Sequence, residues 1–320
     1  MEPQSTQTIH QRIEIIDIAR GVALVAMAVY HFTWDLDFFG YIEPGTSVSG
    51  GWRIFARVIA TSFLFLVGVS LYLAHGRGVR WRAFARRLAM ILAAAAAITA
   101  VTYVVTPDAF IFFGILHNIA LSSLLGIAVL RLPTPALIAL AAAVAVAPQA
   151  IHAPVLDQPA FWWSGLSRNV PGSNDYIPIF PWFAAVLAGI AAAKAATRSG
   201  LTARMAASAP AGGARLLGAA GRHSLAFYLL HQPVLFSGVW LFAQVLPPAQ
   251  PDLSESFLGA CTAQCASARA EPFCRAYCAC LLETARVEDR LAILYDPQRD
   301  AAAQQWLEDV AFRCSVENNG

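Results

Sequence analysis

The first 248 residues contain no cysteine, and charge is scarce everywhere: Asp, Glu, Lys and Arg make up only 13% of the 320 residues. With 58% hydrophobic residues beside so little charge, a soluble globular chain is excluded and a polytopic membrane protein is expected. The opening "MEPQSTQTIHQRI" lacks the charged, apolar and small-residue order of a cleavable signal, so no removed leader is expected. No convincing internal repeat is present. The net charge of +2 says little about partners. The bilayer is one, a homo-oligomer is admitted, and no nucleic acid is expected.

What is there is a series of apolar runs of roughly 20 residues, the length a bilayer needs. They cover 18–39, 53–75, 84–105, 109–130, 134–152, 177–197 and 222–246. Acidic residues are missing from alternate connections. "HGRGVRWRAFARR" holds five arginines, and Arg131, Lys194, Arg198, Arg204, Arg215 and Arg222 flank the other basic loops. Asp37, Glu43, Asp108, Asp157 and Asp175 fall in the remaining ones. The excess of cations on one side places the N-terminus in the cytoplasm and, after seven crossings, the C-terminal tail outside. In a bacterium this is the inner membrane with a periplasmic tail. The expected fold is all-α: a membrane bundle of about seven helices over 1–248, then a small cysteine-containing helical tail over 249–320.

The tail differs in kind. It carries 11 acidic and 6 basic residues and all six cysteines. Cys261 and Cys265, then Cys274 and Cys278, are four apart, which puts each pair on one face of a helix. Cys280 and Cys314 complete the set. An oxidising compartment favours helices stapled by disulfides, and the sequence leaves all 15 pairings open. A metal or redox site is the alternative, but the tail has no histidine and no two-residue cysteine gap, so no metal is expected. "QRDAAAQQWLEDVAFRCSVE" reads as one more packing helix.

Ionisable groups inside membrane spans are costly and become functional candidates. In the first span Arg20 and His31 are eleven residues apart, nearly on one face and about 16 Å apart along the axis. Asp35 follows His31 by one turn, within reach of its imidazole, and Asp17 precedes Arg20 by three. An imidazole braced by a carboxylate is the usual general base near neutral pH. In the fourth span His117 and Asn118 lie about 12 Å from the Ala109 end, deep enough to face His31 and steady an oxyanion. The seventh span adds Arg222, His223, Tyr228 and His231, followed by Pro233, which frees a backbone carbonyl. Each lone histidine is also read as a plain hydrogen-bonded bridge between helices.

Five blocks in order, "IEIIDIARGVALVAMAVYHFTWDL", "SFLFLVGVSLYL", "GILHNIALSSLLG", "NDYIPIFPWFAAVLAGI" and "GRHSLAFYLLHQPVL", resemble the bacterial relatives of heparan-alpha-glucosaminide N-acetyltransferase, with a DUF1624-type catalytic domain. The spacing from Arg20 to His31 is similar to that in the acyltransferase-3 membrane proteins. The resemblance runs from about Ile13 to Leu246 and does not include the tail. It implies an enzyme passing an acetyl or other acyl group from cytoplasmic acyl-CoA, its co-substrate, to an amine or hydroxyl of a sugar or glycan outside. In the eukaryotic enzyme a histidine in the loop after the first matching helix is assigned to the transfer. Here that loop, "GYIEPGTSVSGG", has none, so His31 takes the role, or His117 does, or the chemistry differs.

On this reading His31, Asp35, His117 and Asn118 are the catalytic candidates. Arg20, Arg77, Arg80 and Arg82 would hold CoA phosphates. Trp34, Trp162, Trp163, Asp175 and His231 would meet the sugar, "FWWSGLSRNVPGSNDY" supplying stacking and polar groups. The arginine loop also reads simply as an orientation signal and the tryptophans as an interfacial belt. Two other classes stay open: a transporter using the intramembrane His and Asp as a proton relay, and a non-catalytic anchor for the tail.

Overall fold

The computed structural model describes residues 13–207, 213–248, 253–266, 269–295 and 299–318. The chain divides into two compact units, 1–246 and 247–320. The described residues of the first form α1 (Glu14–Phe38), α2 (Gly50–His75), α3 (Trp81–Val105), α4 (Ile115–Val129), α5 (Thr134–Ala150), α6 (Ile179–Arg198), α7 (Leu201–Ala207), α8 (Ala214–Arg222) and α9 (Ser224–Val245). Those of the second form α10 (Leu253–Ala266), α11 (Glu271–Val287), α12 (Leu291–Tyr295) and α13 (Ala301–Glu317). No strand occurs among them. The protein is all-α.

Five helices, α1, α2, α3, α6 and α9, are long and apolar enough to cross a membrane; α4 and α5 are shorter apolar helices. The first unit is therefore a membrane bundle. Its helices pack through glycines, as is common where lipid supplies no hydrophobic drive to association. Gly68 of α2 lies against the Val186 carbonyl of α6, and Gly189 of α6 against that of Phe65. Gly21 meets the Leu217 carbonyl and Gly221 that of Asp17, so α1 and α8 approach the same way. At each of the four positions a Cβ would overlap the facing main chain. Leu64, Leu137, Val186, Leu187 and Ile190 fill the centre between α2, α5 and α6. The buried Lys194 ammonium donates to the Leu132 carbonyl (2.6 Å) just past the end of α4, where a cation suits the helix dipole.

The expected fourth span, 109–130, is corrected at its start. Residues 107–109 form a short 3-10 turn, Phe113 pairs with Tyr176 in a single parallel bridge, and the helix begins only at Ile115. "AFIFFG" is apolar enough for a span, but its backbone is claimed by residues 173–177: Ile177 N donates to the Phe113 carbonyl (3.1 Å). Helix α8 was not expected at all. It sits in the basic stretch that reads as a loop.

In the tail unit, α10 and α11 are joined by Cys261–Cys278 and Cys265–Cys274, and α11 to α13 by Cys280–Cys314. The outer cysteine of one helix pairs with the outer cysteine of the other because the two run antiparallel. All six cysteines are thus in disulfides. The helix expected near the end is α13, opened by Asp300, whose carboxylate accepts from Ala303 N (2.7 Å) as an N-cap should.

Candidate active site

Helices α1 and α9 bring four polar side chains together. His31 and His231 meet edge to face, with ring centroids 4.9 Å apart at 63°. One turn beyond His31, the fully buried Asp35 accepts from the Gln232 amide, Nε2 to Oδ1, at 2.7 Å. This corrects the expected brace: among the described residues no hydrogen bond or ion pair joins Asp35 to His31. Turn geometry permits that contact, but the Gln232 amide faces the carboxylate from the next helix and takes it.

The His231 ring folds back on its own helix, with Nδ1 2.7 Å from the Tyr228 carbonyl oxygen. Three atoms of this patch, Asp35 Oδ2, His231 Nε2 and Gln232 Oε1, are buried without a hydrogen-bond partner. The other such side-chain atom among the described residues, Thr134 Oγ1, stands apart at the first turn of α5. Leaving a buried polar atom unpaired costs about 1–3 kcal/mol. Three on one patch is a concentration that packing alone does not call for.

Tyr228 also lines a cavity of about 590 Å³. Its walls come from α1, α2, α3, α4, α8 and α9 and are mainly apolar, with Leu24, Phe63, Met90 and Leu229 among them. Three arginines, Arg20, Arg87 and Arg222, line it as well. Arg20 is held by Asp17 (2.9 Å) and by the Ser70 hydroxyl of α2. An elongated molecule with an anionic end and an apolar or neutral end suits such a lining.

The polar groups around α4 are arranged differently. His117 accepts from Gly114 N at Nδ1 (3.2 Å) and lies 3.2 Å from Thr99 Oγ1 at Nε2. Thr99 gives its own hydroxyl proton to the Ile111 carbonyl (2.7 Å), so Nε2 carries the proton and donates. Both nitrogens are used in closing the first turn of α4. Asn118 donates to the carbonyls of Ile177 (3.0 Å) and Pro178 (2.9 Å) and accepts from Ser122 (2.7 Å). No hydrogen bond or ring contact joins either residue to His31 among the described residues. Because α4 starts at Ile115, His117 lies in its first turn, not two turns deep.

Residues 12–233 match the family described as Heparan-alpha-glucosaminide N-acetyltransferase, catalytic. The chain belongs to this family. No curated protein and no solved structure matches it. The family region holds the whole α1–α9 patch and all three cavity arginines, and it ends at Pro233, short of the tail.

The remaining expected residues are scattered. Arg77, Arg80 and Arg82 are exposed at the turn between α2 and α3 and are not among the residues lining the cavity. Arg87, in the second turn of α3, and Arg222, at the end of α8, are. Arg87 belongs to the arginine-rich loop read both as a phosphate holder and as an orientation signal, and Arg222 is one of the polar candidates of the seventh span. Trp34 stacks on Phe38 (5.3 Å, 18°). Trp162 donates to the Asp157 carbonyl (3.3 Å) and packs on Phe112, while Trp163 is 41% exposed. Asp175 accepts from Ile115 N (2.8 Å) at the start of α4, so its carboxylate serves a helix N-terminus. Gln232 was missed, although a polar amide beside a histidine in an apolar run is itself a signal.

Proposed function

We propose that this member of the family transfers an acetyl or other acyl group from acyl-CoA to an amino or hydroxyl group of a sugar. The observation that carries this is the position of Tyr228. Tyr228 lines the cavity and its carbonyl holds the His231 ring, so a donor cavity and a cluster of proton-active groups adjoin at one residue. Arg20, Arg87 and Arg222 would hold the phosphates of the donor, and the apolar wall its pantetheine arm. His31, Asp35 and His231 would handle the proton released by the acceptor, with Trp34, one turn from His31, offering the sugar a ring.

The cavity arginines lie close to the basic connections, and the excess of cations there supports a donor on the cytoplasmic side. The acceptor then reaches the patch from outside, and the tail is extracytoplasmic, as its disulfides favour.

Purified protein in proteoliposomes, supplied with acetyl-CoA and an amino sugar, should release CoA. Arg87→Ala and Arg222→Ala should raise KM for acetyl-CoA more than they lower kcat. Intact acetyl-CoA together with solute-driven proton movement would replace this reading by a transporter.

A further inference from the structure

We propose that His231 is the proton acceptor of the reaction and that His31 positions it; this rests on the transferase reading above. The tautomer decides it. A main-chain carbonyl oxygen can only accept, so the 2.7 Å contact with Tyr228 puts the proton of a neutral His231 on Nδ1. Nε2 is then a bare lone pair, buried and without a protein partner. The two unpaired oxygens of the patch have the same character. Gln232 gives its amide nitrogen to Asp35 (2.7 Å), which leaves Gln232 Oε1 and Asp35 Oδ2 as further acceptors.

The patch therefore presents three acceptors. A thioester carbonyl, itself an acceptor, gains nothing there. A molecule bringing N–H or O–H groups does, and that describes the nucleophile of acyl transfer. The two unpaired oxygens orient the acceptor, and Nε2 takes the proton from the attacking atom. That atom's lone pair forms the bond to the acyl carbon, and the carbon–sulfur bond breaks on collapse. The sulfur leaves as thiolate and recovers the proton from Nε2, so the products are acylated acceptor and free thiol, with no oxidant or reductant required. His31 has no hydrogen bond to the patch among the described residues. Its ring packs on that of His231, which fixes the direction of Nε2.

The test compares wild type with His231→Gly, His231→Gln and His31→Gly in proteoliposomes, using acetyl-CoA as donor and glucosamine or glucose as acceptor. Acetyl-CoA binding is measured in parallel. Loss of a general base should lower kcat of His231→Gly by about 10²–10⁴-fold with acetyl-CoA binding kept, and added imidazole should restore part of the rate. His231→Gln keeps an N–H for the Tyr228 carbonyl but has no imine nitrogen. It should show the same loss without depending on how the glycine variant folds. Wild-type kcat in His231→Gln, or imidazole rescue of His31→Gly alone, overturns the assignment and leaves the transferase reading standing. No CoA release by wild type with either acceptor sinks the transferase reading itself.

Discussion

The membrane unit buries two polar clusters, and they are built in opposite ways. Around the start of α4, Asn118 spends both amide hydrogens on carbonyls and its oxygen on Ser122, and His117 uses both ring nitrogens on α3 and on its own first turn. Between α1 and α9, Asp35, His231 and Gln232 each keep one buried atom without a protein partner. The first cluster closes its hydrogen bonds and so holds helices in register. The second carries a standing cost, which a fold keeps only where another molecule can offset it. Polar residues in an apolar span do not by themselves mark a site; unmet hydrogen-bonding capacity does.

Beyond the His231 variants, the largest effect should come from Asp35→Asn. Removing the carboxylate takes away the negative charge of the open patch, and we expect transfer to fall by about 100-fold or more. The melting temperature should hold or rise, since sites kept for function are often relieved by such changes. CoA release and thermal melting in detergent read the two sides. Asn118→Ala should do the reverse. It strips the partners from two carbonyls and a hydroxyl, so stability should drop by about 1–3 kcal/mol while kcat per folded molecule is unchanged. A variant at Asn118 that melts like wild type yet fails to transfer would erase the contrast.

That contrast was only half legible in the sequence. Helices announced themselves because lipid-length apolar runs leave the chain few alternatives. His31 and Asp35 were visible as neighbours one turn apart. What sequence spacing could not supply was competition from another helix: Gln232, 197 residues away from Asp35, takes the carboxylate that proximity alone assigned to His31. The start of α4 failed for the same reason, since the non-helical backbone of 110–114 is held by hydrogen bonds with residues 173–177, about 60 residues downstream, and with Thr99 and Thr102 of α3. Arg87 and Arg222 were seen as charges, but which cations turn toward a cavity depends on helix rotation, and a count carries no direction. The tail fared better. Four-residue cysteine spacing fixed the faces, and only the antiparallel approach of α10 and α11 was needed to choose the pairing.

A smaller effect tests the closed cluster at its other member. His117→Ala removes a side chain that accepts from Gly114 N at the first turn of α4. Loss of such a cap costs about 1 kcal/mol, visible as a lower melting temperature. The Michaelis constants for donor and acceptor should stay at wild-type values. If KM for the acceptor rises instead, His117 belongs with the open patch.

The smallest effect concerns Asp175, the charged member of the α4 cluster. Burial pushes its carboxyl from the ordinary 3.8 up to about 6, against the pull of the Ile115 N–H that it accepts. The folded protein thus holds this proton more tightly than the unfolded chain does. The stability that comes from holding it is fully present below about pH 4 and is lost as pH rises through about 6. Asp175→Asn cannot titrate but keeps a carbonyl for Ile115. The melting temperature of wild type relative to Asp175→Asn should therefore climb as pH is lowered from 7 to 4. A relative melting temperature that falls over that range would mean the α4 N-terminus stabilises the charge more than burial penalises it. The Asp175 charge would then be an asset of the closed cluster, and the cost of unmet polar groups would lie with the α1–α9 patch.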